Sequence, residues 1–223
     1  MVLNIAMDGP VGAGKSTIAD EVAQRLGILH LDTGAMYRAV GLTALKQGID
    51  ITDEEAVTRL CEGLTVDVAH DAGGQRTLVN GEDVTDSLRT EAVSMATSKV
   101  ATYGGVRRAM VAAQQRMAQE TDMLLDGRDI GTRVLPDATI KIFLTADARE
   151  RARRRYQQLK EKGVEADFDE VLADLRRRDA QDSGRAIDPL RAADDAVIVD
   201  STDLDFEQTV AKIVELVEER VHG

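Results

Sequence analysis

Residue types that carry specialised functions are scarce in this 223-residue sequence, which has one cysteine, three histidines and no tryptophan. The single cysteine, Cys61, excludes an internal disulfide framework and is typical of a reducing compartment. No apolar run approaches the roughly 20 residues of a membrane span. The N-terminal apolar run lacks a basic flank and ends at Asp8, which is typical of a strand rather than a signal peptide. We therefore expect a cytoplasmic protein that makes no membrane contact.

The histidines do not have the spacing of a metal site, and no Ser-His-Asp arrangement is evident. The sequence therefore predicts neither a zinc centre nor acyl transfer. Cys61 lies on the apolar face of a predicted helix, which Thr52 and Glu55 would open with a capping box. A cysteine in that place is expected to be a small buried hydrophobe and not a nucleophile.

Positive charge is in deficit, with 28 Lys and Arg against 40 Asp and Glu, a net charge of −12. Nucleic-acid surfaces need a basic stripe, so no nucleic-acid partner is predicted. Arginine is nevertheless concentrated in residues 149–191, which hold 12 basic and 10 acidic residues. In an acidic protein, such a cluster indicates a small anionic ligand.

The most specific pattern is Gly-Pro-Val-Gly-Ala-Gly-Lys-Ser at residues 9–16, a complete phosphate-binding loop. It follows an apolar run and precedes a helical pattern, as such a loop must. Its glycines let backbone N–H groups converge on phosphate oxygens, and the following helix adds its positive end. Lys15 is predicted to reach the β- and γ-phosphates, and Ser16 to contribute its hydroxyl to Mg²⁺. We therefore predict that the chain binds a nucleoside triphosphate.

Five short apolar runs, each separated from the next by a helical pattern, indicate a parallel sheet buried on both faces. Polar residues follow each run, and ligands of such sheets collect at that edge. The runs are Leu3–Met7, Ile28–Leu31, Met123–Leu125, Ile140–Leu144 and Ala196–Val199.

A small antiparallel insert is predicted at residues 64–85, from strands at Leu64–Val68 and Arg76–Val79 and the hairpin dipeptide Asn80-Gly81. Helical patterns follow at about 86–101 and 106–119. Further on, two charged helices at about 147–162 and 167–183 have almost no long apolar run, so this segment is a candidate mobile lid. An amphipathic helix at about 204–220 completes the pattern.

Three charged groups are candidate ligand sites. The turn Asp126-Gly127-Arg128-Asp129 offers carboxylates and a guanidinium beside the phosphate loop, although a self-satisfied surface turn is the simpler interpretation. Thr33 is a predicted helix N-cap, and Arg38 lies one turn later. In the lid, the spacing predicts two sets of residues that each share a helix face: Arg151, Arg154 and Arg155, and Arg178, Asp182 and Arg185. Both faces could close over phosphates. The alternative is a solvated charged helix.

In series, four motifs closely resemble those of the bacterial cytidylate kinases: the phosphate loop with Thr17, Leu-Asp-Thr-Gly-Ala-Met-Tyr-Arg, Asp-Gly-Arg-Asp-Ile-Gly-Thr and Arg-Arg-Asp-Ala-Gln-Asp-Ser-Gly-Arg. The resemblance implies a P-loop nucleoside monophosphate kinase fold. That fold has a five-stranded parallel sheet with helices on both faces, a small antiparallel insert that binds the monophosphate, and a helical lid. It also implies a single kinase domain at 1–223, with its core at 1–63, 102–146 and 192–223, the insert at about 64–101 and the lid at about 147–191.

The implied reaction is transfer of the γ-phosphoryl group of ATP, with Mg²⁺, to CMP or dCMP. Lys15, Arg128 and Arg185 would be the catalytic residues. The residues implied to hold ATP are Gly9, Pro10, Val11, Gly12, Ala13, Gly14, Lys15, Ser16 and Thr17, with Arg154 and Arg155 above it. Those implied to bind the acceptor are Thr33, Arg38, Arg128 and Arg185 at the phosphate, Ser98, Arg107 and Asp129 at cytosine, and Arg178 and Asp182 at the sugar.

Two other functions stay open at this stage. One is a related P-loop kinase for UMP or a non-nucleotide alcohol; the carboxylate of Asp129 argues against uracil, whose carbonyl it would repel. The other is a nucleotide switch, although the chain lacks the Asn-Lys-x-Asp segment that reads guanine. With no sustained heptad pattern or apolar patch in the sequence, we expect a monomer.

Overall fold

The computed structural model describes residues 2–71 and 74–222. The positions 1, 72, 73 and 223, at the ends of the predicted domain and inside the predicted insert, lie outside the described residues. The chain divides into two compact units, one of Val2 and Leu29–Met123 and the other of residues 3–28 and 124–222. No helix among the described residues is long and apolar enough to cross a membrane.

The elements follow the predicted alternation of strands and helices. The strands are β1 Asn4–Asp8, β2 Leu29–Asp32, β3 Val66–Asp71, β4 Gly74–Val79, β5 Glu82–Asp83, β6 Met123–Gly127, β7 Ile140–Thr145 and β8 Val197–Asp200. The helices are α1 Lys15–Leu26, α2 Thr33–Lys46, α3 Glu54–Glu62, α4 Glu91–Val100, α5 Gly104–Glu120, α6 Ala148–Glu161, α7 Phe168–Ser183 and α8 Phe206–His222. Two short turns, a 3₁₀ turn at Thr85–Ser87 and a π turn at Ile130–Val134, complete the set.

The five apolar runs form the five-stranded sheet that the sequence predicts, in the order β2-β6-β1-β7-β8. β1 pairs parallel to β7 with Ile5 opposite Ile140, and β7 pairs parallel to β8 with Leu144 opposite Val199. The α/β fold class is therefore confirmed. Because the sheet is parallel, the polar residues that follow β1, β6 and β7 meet at one edge.

The core of the second unit is apolar on the strands and on one face of two helices. Met7 of β1 and Leu144 of β7 are fully buried, and they belong to the same cluster as Val22 of α1 and Ile213 of α8. The buried residues of α8 recur at the spacing that predicted an amphipathic helix, while Phe206 at its start is 41% exposed. The predicted last helix is thus confirmed.

The connection from β6 to β7 contradicts the prediction that a helix separates each pair of strands. It contains only the π turn Ile130–Val134. Pro136, which has no N–H to donate, follows the turn, and the carboxylate of Asp8 accepts from the N–H groups of Ile130 and Gly131. The connection is long enough to join parallel strands without a full helix.

The predicted insert forms an antiparallel sheet in the order β3-β4-β5. Asn80 and Gly81 join β4 to β5 with φ values of 49° and 84°, and Val79 faces Glu82, as a two-residue hairpin requires. The single helix predicted at 86–101 is wrong in its first part. A 3₁₀ turn comes first, and α4 begins only after Thr90, whose side chain caps it by accepting from Val93 N–H at 3.3 Å.

Two predicted helix caps are displaced by one residue. α3 is capped by Asp53, which accepts from Ala56 N–H at 2.9 Å, while Thr52 bonds to Asp50 instead of forming a capping box with Glu55. α2 is capped by Asp32 and not by Thr33, which is the first helical residue. In both places a carboxylate stands next to the threonine, and aspartate is the stronger cap.

Cys61 on α3 is 7% exposed, and burial raises the pKa of its thiol to about 11. A thiol with such a pKa is almost wholly protonated at neutral pH, so it is a poor nucleophile. Its predicted role as a small buried side chain is confirmed.

The two lid helices match their predicted bounds and bury more than the sequence indicated. Ala152 of α6 and Leu172 and Leu175 of α7 form a small apolar cluster, against which Val11 of the phosphate loop packs. This segment therefore has a hydrophobic core of its own.

Candidate active site

The phosphate loop connects β1 to α1 through backbone conformations that only glycine adopts easily. Gly9 has φ 152°, and a Cβ there would lie 2.0 Å from the carbonyl oxygen of Leu144. Gly14 has φ 84° and occupies the N-cap position of α1, whose first turn has neither a side-chain cap nor an acidic residue. The positive end of α1 is therefore available to an anion.

Lys15 is buried at the start of α1, 5% exposed, and its Nζ donates to the carbonyl oxygen of Pro10 at 2.8 Å. Burial, followed by the positive charge of Arg128, lowers the pKa of Lys15 to about 7. Phosphate oxygens at this loop would add negative charge and stabilise the ammonium form.

Ser16 and Thr17, the next two residues, are exposed. The Ser16 hydroxyl donates to the Oδ2 of Asp126 at 2.7 Å, and Asp126 is 3% exposed at the end of β6. The hydroxyl and the carboxylate together provide hard oxygen ligands for a metal ion next to the phosphate loop.

Asp8, the last residue of β1, is 4% exposed and accepts two backbone hydrogen bonds. Its Oδ1 takes the N–H of Ile130 and its Oδ2 the N–H of Gly131, both at 2.8 Å. A Cβ on Gly131 would lie 3.4 Å from Asp8 Oδ2 and 3.2 Å from the stem of Lys141, so this close approach favours glycine. Burial raises the pKa of Asp8 to about 6 against the effect of these two bonds.

Arg128 and Asp129 follow β6, as the sequence indicated. The Nε of Arg128 donates to Asp182 at 2.8 Å, and its Nη1 donates to the carbonyl oxygen of Gly127 at 3.2 Å. Asp129 is 5% exposed, and its charge raises the pKa of Asp8. The turn is therefore bonded to α7 through Asp182 and is not a self-satisfied surface turn.

Asp182 is buried between two guanidinium groups, because Arg185 also pairs with it. Arg185 does not share a helix face with Asp182, contrary to the sequence prediction. α7 ends at Ser183 and is capped by Gly184, so Arg185 reaches Asp182 from the chain that follows the helix. Arg178 lies on α7 itself, with its side chain 52% exposed and paired with Asp174 at 2.9 Å.

The predicted arginine face of α6 separates into three environments. Arg151 is buried and bonds to Asp179 and to the carbonyl oxygen of Val11 at 2.8 Å, so it links the lid to the phosphate loop. Arg154 pairs with Glu150 at 2.8 Å and donates to the carbonyl oxygen of Ser201 at 2.5 Å. Arg155 is exposed. Arg151, one of the three arginines predicted to share a face that closes over phosphates, is thus bonded to the protein's own atoms.

The first unit holds the other predicted site residues. Thr33 is buried at the start of α2, and Nη1 of Arg38 lies 3.4 Å from the Oδ2 of Asp32. Arg107 of α5 is 2% exposed, lies over the ring of Tyr37 at 5.6 Å and donates to the carbonyl oxygen of Ala101. Ser98 is exposed on α4, a helix packed against α2 where Gly41 meets Thr97.

Each unit therefore assembles part of the predicted set. The second unit brings together Lys15, Ser16, Arg128, Asp129, Asp182 and Arg185, as the bonds and charge effects above show. The sequence analysis gave Asp8 no role and named Asp126 only as part of the candidate turn after β6. Their signal was their position, because each is a carboxylate at the carboxyl end of a buried strand.

Comparison with known proteins gives long and close matches. The chain is 47% identical over 218 residues to a cytidylate kinase of Bacillus velezensis, covering 98% of this chain and 97% of that protein. It is 48% identical over 218 residues to a cytidylate kinase of Geobacter sulfurreducens, covering 98% and 94%.

A crystal structure of an uncharacterised protein from Eubacterium ventriosum superposes with a TM-score of 0.55 at 11% identity, covering 97% of this chain and 98% of that one, and this likeness concerns the fold alone. The profile described as cytidylate kinase matches residues 5–219, almost the whole described chain. The phosphate loop, the arginine-rich lid and these matches agree, and the chain belongs to the cytidylate kinase family.

Proposed function

We propose that the protein transfers the γ-phosphoryl group of ATP to CMP or dCMP, which yields CDP or dCDP and ADP. The observation that carries the proposal is a complete phosphate loop, with its buried lysine, in a chain that belongs to the cytidylate kinase family along almost its whole length. Transfer between two bound phosphates depends on positioning and charge neutralisation more than on a strong base. The many arginines around the loop suit that chemistry.

On the donor side, residues Gly9 to Thr17 bind the ATP phosphates through backbone N–H groups and the end of α1. Lys15 exchanges the Pro10 carbonyl for phosphate oxygens and neutralises charge on the transferred group. Arg154 and Arg155 of α6 contact ATP from the lid. The bond from Arg154 to Ser201 supports a place for this guanidinium beside the loop that follows β8.

The hydroxyl of Ser16 and the carboxylate of Asp126 suit Mg²⁺, which prefers hard oxygen donors and keeps several waters. Ser16 would hold the ion together with the phosphates, and Asp126 would orient the hydroxyl and add negative charge. When bound, the ion neutralises the β- and γ-oxygens of ATP. The role at Mg²⁺ is new for Asp126, which the sequence analysis named only as part of a candidate turn.

On the acceptor side, Arg38, Arg128 and Arg185 bind the phosphate of CMP, and Thr33 contributes to the same binding. Arg128 and Arg185 already share one carboxylate, that of Asp182, and a phosphate is a natural replacement because guanidinium binds either group with paired bonds. Arg178 and the released Asp182 contact the sugar. Ser98, Arg107 and Asp129 read cytosine, where a carboxylate accepts from the exocyclic amine.

The domain organisation follows from the same proposal. The core is at residues 1–63, 102–146 and 192–223, the insert at about 64–101 binds the monophosphate, and the lid at about 147–191 closes over ATP. We propose that the protein acts as a monomer in the cytoplasm, in keeping with its single cysteine.

The test is ADP production from ATP and Mg²⁺ with CMP, dCMP, UMP, AMP and GMP offered singly. Turnover of about 1–100 per second with CMP and dCMP alone supports the proposal. Lys15→Ala should abolish it, while Lys160→Ala on the exposed side of the lid should not. Turnover with UMP or with an alcohol instead would assign the related kinase. Slow GTP hydrolysis independent of any acceptor would assign the switch.

A further inference from the structure

The antiparallel hairpin of β3 and β4 holds the backbone of β2 by two side chains. The Nε2 of His70 lies 2.6 Å from the carbonyl oxygen of His30; a carbonyl only accepts, so Nε2 carries the proton. The Oε1 of Gln75 accepts from the backbone N–H of Asp32 at 2.7 Å. The Nε2 of Gln75 also faces the carbonyl oxygen of Asp32 at 3.4 Å. Gln75 thus presents an acceptor and a donor to one residue, as a neighbouring strand would.

The register of the two sheets explains why both side chains arrive together. His70 and Gln75 are directly opposite each other in the β3–β4 ladder, so they project on the same face of the hairpin. His30 and Asp32 are two residues apart in β2, so their backbone groups point to the same side of the strand. β2 is the first strand in the sheet order, so one of its sides faces no other strand of that sheet among the described residues. The side chains of His70 and Gln75 bond to the backbone on that side.

Asp32 connects the hairpin to α2, because its backbone bonds to Gln75 and its side chain bonds to α2. Its Oδ1 accepts from the backbone N–H of Ala35 at 3.1 Å and so caps the helix. Its Oδ2 lies 3.4 Å from Nη1 of Arg38, the arginine proposed to grip the acceptor phosphate. The backbone of Asp32 is therefore fixed by Gln75, while its carboxylate fixes the start of α2 and the direction of Arg38.

We propose that Gln75 is a positioning residue for the acceptor phosphate and acts through Asp32 and Arg38. Without the Gln75 side chain, the N–H of Asp32 loses its hydrogen-bond partner. The backbone at Asp32, directly before α2, is then less restrained. Arg38 then spends less time in the direction that meets the phosphate. The inference rests on the proposed function, because it concerns the same acceptor site.

The test compares Gln75→Ala with Arg76→Ala, the next residue on β4, whose side chain is 47% exposed and pairs with Asp71 and Asp83. For Gln75→Ala we expect the KM for CMP to rise about 3- to 10-fold, as for loss of a neutral hydrogen bond, with kcat and the KM for ATP changed less than about 2-fold. Arg76→Ala should change none of the three. Gln75→Met keeps the length of the side chain without its polar atoms. It replaces Gln75→Ala in the test if that variant folds poorly, and we expect the same rise in the KM for CMP.

Two further measurements make the inference specific. In an Arg38→Ala background, Gln75→Ala should change the KM for CMP by less than about 2-fold, because residues that act as one unit are not additive. Amide hydrogen exchange at Asp32 should accelerate in Gln75→Ala and not in Arg76→Ala. This measurement does not depend on which reaction the enzyme catalyses. An unchanged KM for CMP in an otherwise active Gln75→Ala enzyme, or full additivity with Arg38→Ala, overturns the inference. A wild-type enzyme without CMP-dependent turnover overturns the proposed function instead.

Discussion

The hydroxyl of Ser16 donates a 2.7 Å hydrogen bond to the carboxylate of Asp126, which lies 110 positions later in the chain. Ser16 belongs to the phosphate loop, and Asp126 lies near the carboxyl end of the buried strand β6. Because β1 and β6 are neighbours in the sheet order, the loop after β1 and the carboxyl end of β6 meet at the same edge. The pair is the strongest addition that the structure makes to the proposed donor site.

Asp126→Asn keeps an acceptor for the Ser16 hydroxyl and removes the negative charge. We expect turnover, or the apparent affinity for Mg²⁺, to fall about 10- to 100-fold, as for other residues that orient a metal ligand. A Mg²⁺ titration of the initial rate measures both quantities. The control is Asp137→Asn, an exposed aspartate beyond the same strand. Identical titration curves for the two variants would contradict a role for Asp126 at the metal.

Asp129→Ala should lose preference for cytosine more than affinity for ATP. A buried carboxylate that accepts from the amine of cytosine would oppose the carbonyl of uracil, which corresponds to a discrimination of about 10-fold to several-hundred-fold. The measurement is the ratio of kcat/KM for CMP and UMP, with the KM for ATP recorded beside it. Asp137→Ala serves as the control. A CMP:UMP ratio equal to that of the wild type would remove Asp129 from base reading.

Asp8 predicts a pH dependence of stability. Its pKa in the folded protein, about 6, is above the ordinary value of 3.8, so between these values the folded state binds more protons than the unfolded state. The contribution of Asp8 to the free energy of unfolding is therefore full below pH 4 and is lost as the pH rises through 6. A pKa shift of this size lowers the free energy of unfolding by about 3 kcal/mol once the pH is above 6.

Asp8→Asn isolates this contribution, because the variant cannot titrate there. We expect the difference in unfolding free energy, wild type minus variant, to decrease by about 3 kcal/mol between pH 4 and pH 7 and then to stay constant. Urea denaturation at a series of pH values gives the difference and cancels the other carboxylates. A difference that is independent of pH would mean that Asp8 keeps an ordinary pKa in the fold.

Arg151→Ala removes the guanidinium that joins Asp179 to the phosphate loop. Its side chain is 6% exposed, and its loss leaves a carboxylate and the Val11 carbonyl without their donor. We expect the free energy of unfolding to fall by about 1–3 kcal/mol and the KM for ATP to rise. Arg153→Ala on the same helix removes a 67% exposed guanidinium and should cost less than about 0.5 kcal/mol. Equal urea midpoints for the two variants would show that the lid does not depend on Arg151.

The fold could be predicted well from the sequence where the signal was local. The five strands of the parallel sheet, the Asn80-Gly81 hairpin and the two lid helices each have a pattern within about 20 residues that few other structures satisfy. The predictions failed where two local options competed. Thr52 and Thr33 were plausible caps, but an aspartate beside each of them took the position.

The candidate site shows the same division. The phosphate loop could be predicted because all its groups lie in nine consecutive residues. The spacing of Arg151, Arg154 and Arg155 indicated one common face, but burial and nearby carboxylates gave Arg151 a structural role and left Arg155 exposed. Periodicity places side chains on a helix face and does not say which partners that face meets.

The sequence by itself determined the phosphate loop, the alternation of strands and helices, and the two arginine-rich helices α6 and α7, because these depend on neighbouring residues. Only the tertiary structure decided that Asp126 reaches Ser16, that Asp8 holds the turn at Gly131, and that Gln75 holds Asp32. Each of these contacts joins residues more than 40 positions apart. Such pairs are brought together by sheet order and register, which emerge only when the whole chain packs.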